Sequence, residues 1–244
     1  MQKVLLIGCF TLLSAVAQAA DLSSDERYMS FGPSITEELS EYAISKDTDL
    51  PPIPWPTPGG DDYNPYDPYG SQPHDAISGL DRIVNLAKKV FDIIKDNQPV
   101  IDVTVNYANA VPEEPKYWTH LQDWSAPQKR GYEIYWKNLY GVKVMSIKYM
   151  VLYTYGGNYK GVGRYLNGVS VQPLSVKAAW GYALNLTCEA PQMAITNVGK
   201  SEEPVASMQL IFNWKGGSML KKIDERDVYY IRGMVDSKNW ELLD

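Results

Sequence analysis

Beyond Pro99 the sequence predicts a mainly β fold: an antiparallel two-layer sandwich of about seven or eight strands. The first observation behind this is a period of two. Leu174, Val176, Ala178, Trp180, Tyr182, Leu184, Leu186 and Cys188 fall on one side of an extended chain. Ser175, Lys177, Ala179, Gly181, Ala183, Asn185 and Thr187 fall on the other. Successive side chains of a strand point to opposite faces, so one oily face marks a half-buried strand. The second observation is that the pattern recurs, as in Met145, Ile147, Tyr149, Val151, Tyr153 and Tyr155, and in Ala206, Met208, Leu210, Phe212 and Trp214. The third is the turn chemistry between the runs: Gly156-Gly157-Asn158, Asn167-Gly168, Pro191, Asn197-Val198-Gly199 and Gly216-Gly217. A transmembrane barrel also alternates, but its outer band needs more aliphatic residues on every strand.

The chain opens with MQKVLLIGCFTLLSAVAQAA. Lys3 supplies a short positive region, residues 4–17 an apolar run, and Ala17-Gln18-Ala19 a small-residue cleavage pattern. Residues 1–19 are therefore expected to be a signal peptide, and the protein to be exported, either secreted or periplasmic. The run is shorter than the roughly 20 residues a membrane span needs. No later stretch reaches that length either, so no transmembrane segment is expected after signal cleavage. Removal of Cys9 leaves Cys188 as the one remaining cysteine, which excludes an internal disulfide. Cys188 falls on the apolar face of its strand, as a small buried residue would.

Residues 20–50 form an acidic, flexible N-terminus. Ser34-Ile35-Thr36-Glu37 resembles a capping box, and Ile35, Leu39 and Tyr42 fit one face of a short helix. Residues 51–74 follow as a linker rich in proline and tyrosine. Proline lacks an N–H and restricts its predecessor, so this stretch is neither helix interior nor central strand. Tyr63, Tyr66 and Tyr69 recur every three residues and would share one edge of a polyproline II helix, a secondary candidate docking edge. Residues 75–97 then read as an amphipathic helix. Asp75 is a fitting N-cap, Ile77, Leu80, Val84, Ala87, Phe91 and Ile94 recur at three and four, and Pro99 stops it. Residues 98–244 make the β-sandwich domain. Within it, Pro173 marks a kink or bulge, because proline cannot donate to a central ladder.

Composition narrows the chemistry. The formal charge is −6 with no long basic run, which argues against nucleic acid as a partner. With two histidines, His74 and His120, and no Cys-x-x-Cys, no metal site and no cofactor is expected. No catalytic residue is assigned. Glu113, Glu114, Asp123 and Glu133 leave open a carboxylate-dependent polysaccharide hydrolase, which needs only two suitably separated carboxyls. A membrane-active protein using the 75–97 helix is the other alternative. The expected role is non-catalytic: recognition of a partner protein, a glycan or an envelope component. The candidate contact loop is Tyr117, Trp118, His120, Asp123 and Trp124, where aromatic and polar groups crowd into eight residues. Its two tryptophans would serve equally as a plug for the open end of the sandwich.

Overall fold

The computed structural model describes residues 22, 24–40, 83–85, 90–100, 107–113 and 120–234, together with the backbone of 240–243. The expected signal peptide, the 51–74 segment and much of the expected helix lie outside these residues. The described chain is mainly β, with two antiparallel sheets and one short helix, α1, at Glu26–Met29. Among the described residues no helix is long and apolar enough to cross a membrane.

The first sheet contains β1 (Ile35–Leu39), β2 (Ile83–Val84), β5 (Ala108–Pro112), β6 (Leu121–Gln122), β7 (Gln128–Lys137), β8 (Lys143–Tyr159) and β9 (Val162–Ala178). Its order is β1-β7-β8-β9-β5-β2, with β6 paired to β8. The second contains β3 (Val90–Lys95), β4 (Gln98–Pro99), β10 (Ala183–Glu189), β11 (Ile195–Asn197), β12 (Ala206–Gly217), β13 (Lys222–Arg232) and β14 (Trp240–Leu243). Its order is β14-β13-β12-β10-β3-β4, with β11 paired to β12.

Two helical expectations are overturned. Ile35–Leu39 is not a helix but strand β1, paired antiparallel with β7 from Ile35↔Tyr135 to Leu39↔Gly131. A helix this short is marginal, whereas the edge of β7 offers a full set of backbone partners. The helix instead forms just upstream, where the Asp25 carboxylate accepts from the Arg27 and Tyr28 N–H groups. Within the expected 75–97 helix, Ile83–Val84 and Val90–Lys95 are strands. β3 pairs with β10, setting Phe91 beside Cys188, and Phe91, Ile93 and Ile94 are buried. Short apolar runs fit either period, and tertiary pairing decides. Asp96 and Asn97, both at positive φ, then turn the chain tightly into β4. Phe91 and Ile94 therefore serve the core and are not available to a membrane.

The hairpin of β8 and β9 is the spine of the first sheet. It turns at Lys160-Gly161, both at positive φ, and not at the two sites the sequence suggested. Gly156-Gly157-Asn158 and Asn167-Gly168 lie inside strands, beside register shifts that make them bulges. Pro173 sits opposite Tyr149 at another such shift, as its missing N–H requires. The long alternation from Leu174 to Cys188 is also broken. Ala179–Tyr182 carries the chain from β9 in one sheet to β10 in the other, with Gly181 at φ +81°. Trp180, expected inside, is 51 % exposed on this turn. Alternation alone does not register a turn whose residues happen to stay in phase.

Residues of both sheets share one buried cluster. Leu184, Leu186, Cys188, Ala206, Met208, Leu210 and Phe212 are all fully buried, as their alternation predicts. Aromatic rings link the sheets. Trp136 and Trp214 meet edge-on at 6.0 Å, and Tyr149 lies 5.3 Å from Phe212 between ring centres.

Candidate functional site

The strand directions bring three connections to one end of the molecule: the β7–β8 turn, the β9–β10 crossover and the β12–β13 turn. A single segment, residues 25–31, ties them together. The Leu139 N–H donates to the carbonyls of Arg27 and Ser30, each at 3.2 Å. The Tyr28 hydroxyl donates to the Trp180 carbonyl at 3.1 Å, and the Tyr182 hydroxyl donates to the Tyr28 carbonyl. Ser218 Oγ donates to the Met29 carbonyl at 2.5 Å, and Lys221 Nζ to that of Phe31 at 2.6 Å. A four-residue helix rises about 6 Å, so the three turns are close neighbours.

The backbones of the first and third turns are held by one side chain each. Asn138 Oδ1 accepts from the N–H groups of Tyr140 and Val142, and its carbonyl accepts from Gly141. Gly141, at φ +78°, lets the chain close there. Buried Ser218 does the same for the third turn, accepting from Leu220 and Lys221. The Tyr140 hydroxyl donates to Asp25 Oδ2 at 2.9 Å, and the Arg27 guanidinium stacks 4.5 Å from the Tyr140 ring centre. The backbone N–H of Tyr28 is the main influence lowering the Asp25 carboxyl below its ordinary value, and the bond to Asp25 raises the Tyr140 phenol. Burial pushes the Tyr182 phenol up to about 12.

What these ordered turns present to solvent is apolar. Leu139, Tyr140, Val142, Trp180, Met219 and Leu220 are all exposed, Met219 to 71 %. Six large apolar side chains thus stand exposed together at one end of the described fold. Sequence reasoning passed over this end. The Gly216-Gly217 signal points to the third turn, but Asn138-Leu139-Tyr140-Gly141 is a gap between two runs with no turn signal assigned to it, and Ala179-Trp180-Gly181 is hidden in a run that otherwise reads as strand.

The residues singled out from sequence lie elsewhere. Tyr63, Tyr66, Tyr69, Tyr117 and Trp118 fall outside the described residues. His120, Asp123 and Trp124 are brought together against the tip of the β8–β9 hairpin, at the other end of those strands from the three turns. The exposed His120 ring is 6.3 Å from that of Tyr159. Asp123, at φ +59°, accepts from Asn158 Nδ2 at 2.8 Å. Trp124 is half-buried against the core over Gly157, where an added Cβ would lie 2.5 Å from its ring. Of the candidate hydrolase carboxylates, Glu133 accepts from Lys143 at 2.6 Å, Glu113 is exposed, and Glu114 is outside the described residues. Among the described residues no group of three or more His, Cys, Asp and Glu is placed to hold a metal ion. Cys188 is fully buried, and loss of solvation raises its thiol well above the usual range.

No family model matches this chain, and neither a curated protein nor a solved structure matches it.

Proposed function

We propose that the protein is an exported, non-catalytic interaction protein. In this reading its two sheets form a two-layer β-sandwich, and the end built from the three turns and residues 25–31 recognises a partner protein, a glycan or an envelope component. One observation carries the reading: six large apolar side chains stand exposed on turns whose backbones are hydrogen-bonded in place. Full burial of one such side chain contributes about 1.5–3 kcal/mol, so leaving six outside forgoes a stabilisation that an interface would recover. Fixed turns also spare the interface the entropy of ordering loops on contact.

A pull-down from envelope and extracellular fractions tests this. The variant L139S/W180A/M219S should lose capture by tenfold or more. Its melting temperature should fall by no more than a few degrees, because substitutions at exposed positions stay within about 0.5 kcal/mol each. Unchanged capture by that variant would reject the reading.

A further inference from the structure

We propose that this end docks on an anionic lipid surface. The inference rests on the interaction reading above and names its partner.

The charge around the apolar rim has the sign such a surface needs. Lys137 and Lys143 flank the first turn, Lys177 precedes the crossover, Lys221 and Lys222 close the third turn, and Arg27 projects from α1, all of them exposed. The carboxylates nearby are fewer: Asp25 and Glu26 on the 25–31 segment, Asp96 on the β3–β4 turn, Glu133, which pairs with Lys143 at 2.6 Å, and Asp224; Asp25 is already engaged by Tyr140. The whole chain carries −6. A negatively charged membrane therefore attracts this end and repels the rest, which fixes the orientation of approach.

The chemistry of the rim matches the boundary between headgroups and acyl chains. Tyr140 and Trp180 are the amphipathic aromatics that settle at that depth. Leu139, Val142, Met219 and Leu220 offer aliphatic groups for shallow insertion. An unpaired N–H is costly where water is scarce. Here the N–H groups of Leu139, Tyr140, Gly141, Val142, Leu220 and Lys221 all have acceptors within the protein.

Co-sedimentation of the chain freed of residues 1–19 with two kinds of vesicle decides the matter. One is phosphatidylcholine alone, and the other contains about 30 % phosphatidylglycerol, an anionic fraction sufficient to attract basic clusters. The ratio of the two affinities is the readout. We expect at least a tenfold preference for the anionic vesicles at low salt, shrinking several-fold as the screening length falls toward 3 Å near 1 M salt. The K177E/K222E variant should bring the preference to within about twofold, and L139S/W180A should weaken binding to both vesicles, each with an unchanged circular dichroism spectrum. Equal affinity for the two vesicles, or a preference that survives K177E/K222E, overturns the proposal. If sedimentation velocity or the pull-down instead shows a rim-dependent protein contact, including a second copy of this chain, the lipid proposal falls and the interaction reading stands. If rim substitutions alter none of these measurements, both fall.

Discussion

The hydroxyl oxygens of Tyr149 and Tyr229 lie 2.6 Å apart, joined by a hydrogen bond that runs from β8 in one sheet to β13 in the other. Both rings are fully buried, among Tyr132, Phe212 and Trp214. The pair therefore acts as a polar rivet in an aromatic core.

Removing one hydroxyl should cost more than removing both. Y149F leaves buried Tyr229 with a lost partner, at about 1–3 kcal/mol, whereas Y149F/Y229F removes donor and acceptor together and should recover most of that loss. Urea unfolding of the two single variants and the double variant closes the cycle. A double variant whose destabilisation equals the sum of the singles would show that the bond carries no coupling.

Alkaline pH should unfold the protein through its buried phenols. Burial raises Tyr149, Tyr229 and Tyr182 above the ordinary 10, the last to about 12. The native state holds these protons more tightly than the unfolded chain does. Their contribution is thus complete below pH 10 and is lost as pH climbs from there through about 12. Phenolate absorbance followed together with circular dichroism should show these groups ionising with the loss of structure. Their full ionisation while the far-ultraviolet spectrum stays native would contradict the burial argument.

Trp124 should behave as a packing residue. Its ring lies over Gly157, so W124A opens a gap beside the core and is expected to cost about 2 kcal/mol or more. G157A should be comparably harmful, since the new methyl meets the indole at 2.5 Å. A melting temperature unchanged by W124A would instead return Trp124 to the solvent-facing platform that the sequence suggested.

Ser218 should hold the N-terminal segment in place. Its hydroxyl donates to Met29 and accepts from Leu220 and Lys221, and the residue is 1 % exposed. S218A leaves these groups short of partners, at about 1–3 kcal/mol. Hydrogen exchange should accelerate first at residues 25–31 and at the third turn, ahead of the β7–β9 ladder. Uniform acceleration across the fold would mean that the segment is not a separate unit.

Cys188 should resist thiol reagents until the protein unfolds. Full burial keeps reagent out and raises the thiol, so the reactive thiolate is scarce. Rapid modification of the native protein at neutral pH would show that β10 opens locally.

Much of the β region was legible because its signal is local. In β12 oily and polar residues alternate, and in β8 every second residue from Met145 to Tyr153 is apolar; these and every second residue from Ala206 to Trp214 lie inside. Pro173 announced its bulge through a missing N–H, a property of one residue. The helical reading of residues 83–84 and 90–95 failed for a different reason. Val90-Phe91-Asp92-Ile93-Ile94 suits either period, and its pairing partner, β10, lies about a hundred positions further along the chain. The candidate contact loop was chosen by composition, which records that tryptophans are present but not that Trp124 has Gly157 beneath it.

By itself the sequence determined that the chain is mostly extended, that Cys188 faces inward, and where Pro173 interrupts a ladder. These follow from side-chain periodicity and backbone chemistry, which act between near neighbours. Tertiary structure alone decided that Ile35–Leu39 joins a sheet, that Trp180 stands outside on a crossover, and that Asn138, Trp180 and Ser218 meet around residues 25–31. Those outcomes depend on which distant backbone groups find each other, and no local pattern of oil and water encodes that choice.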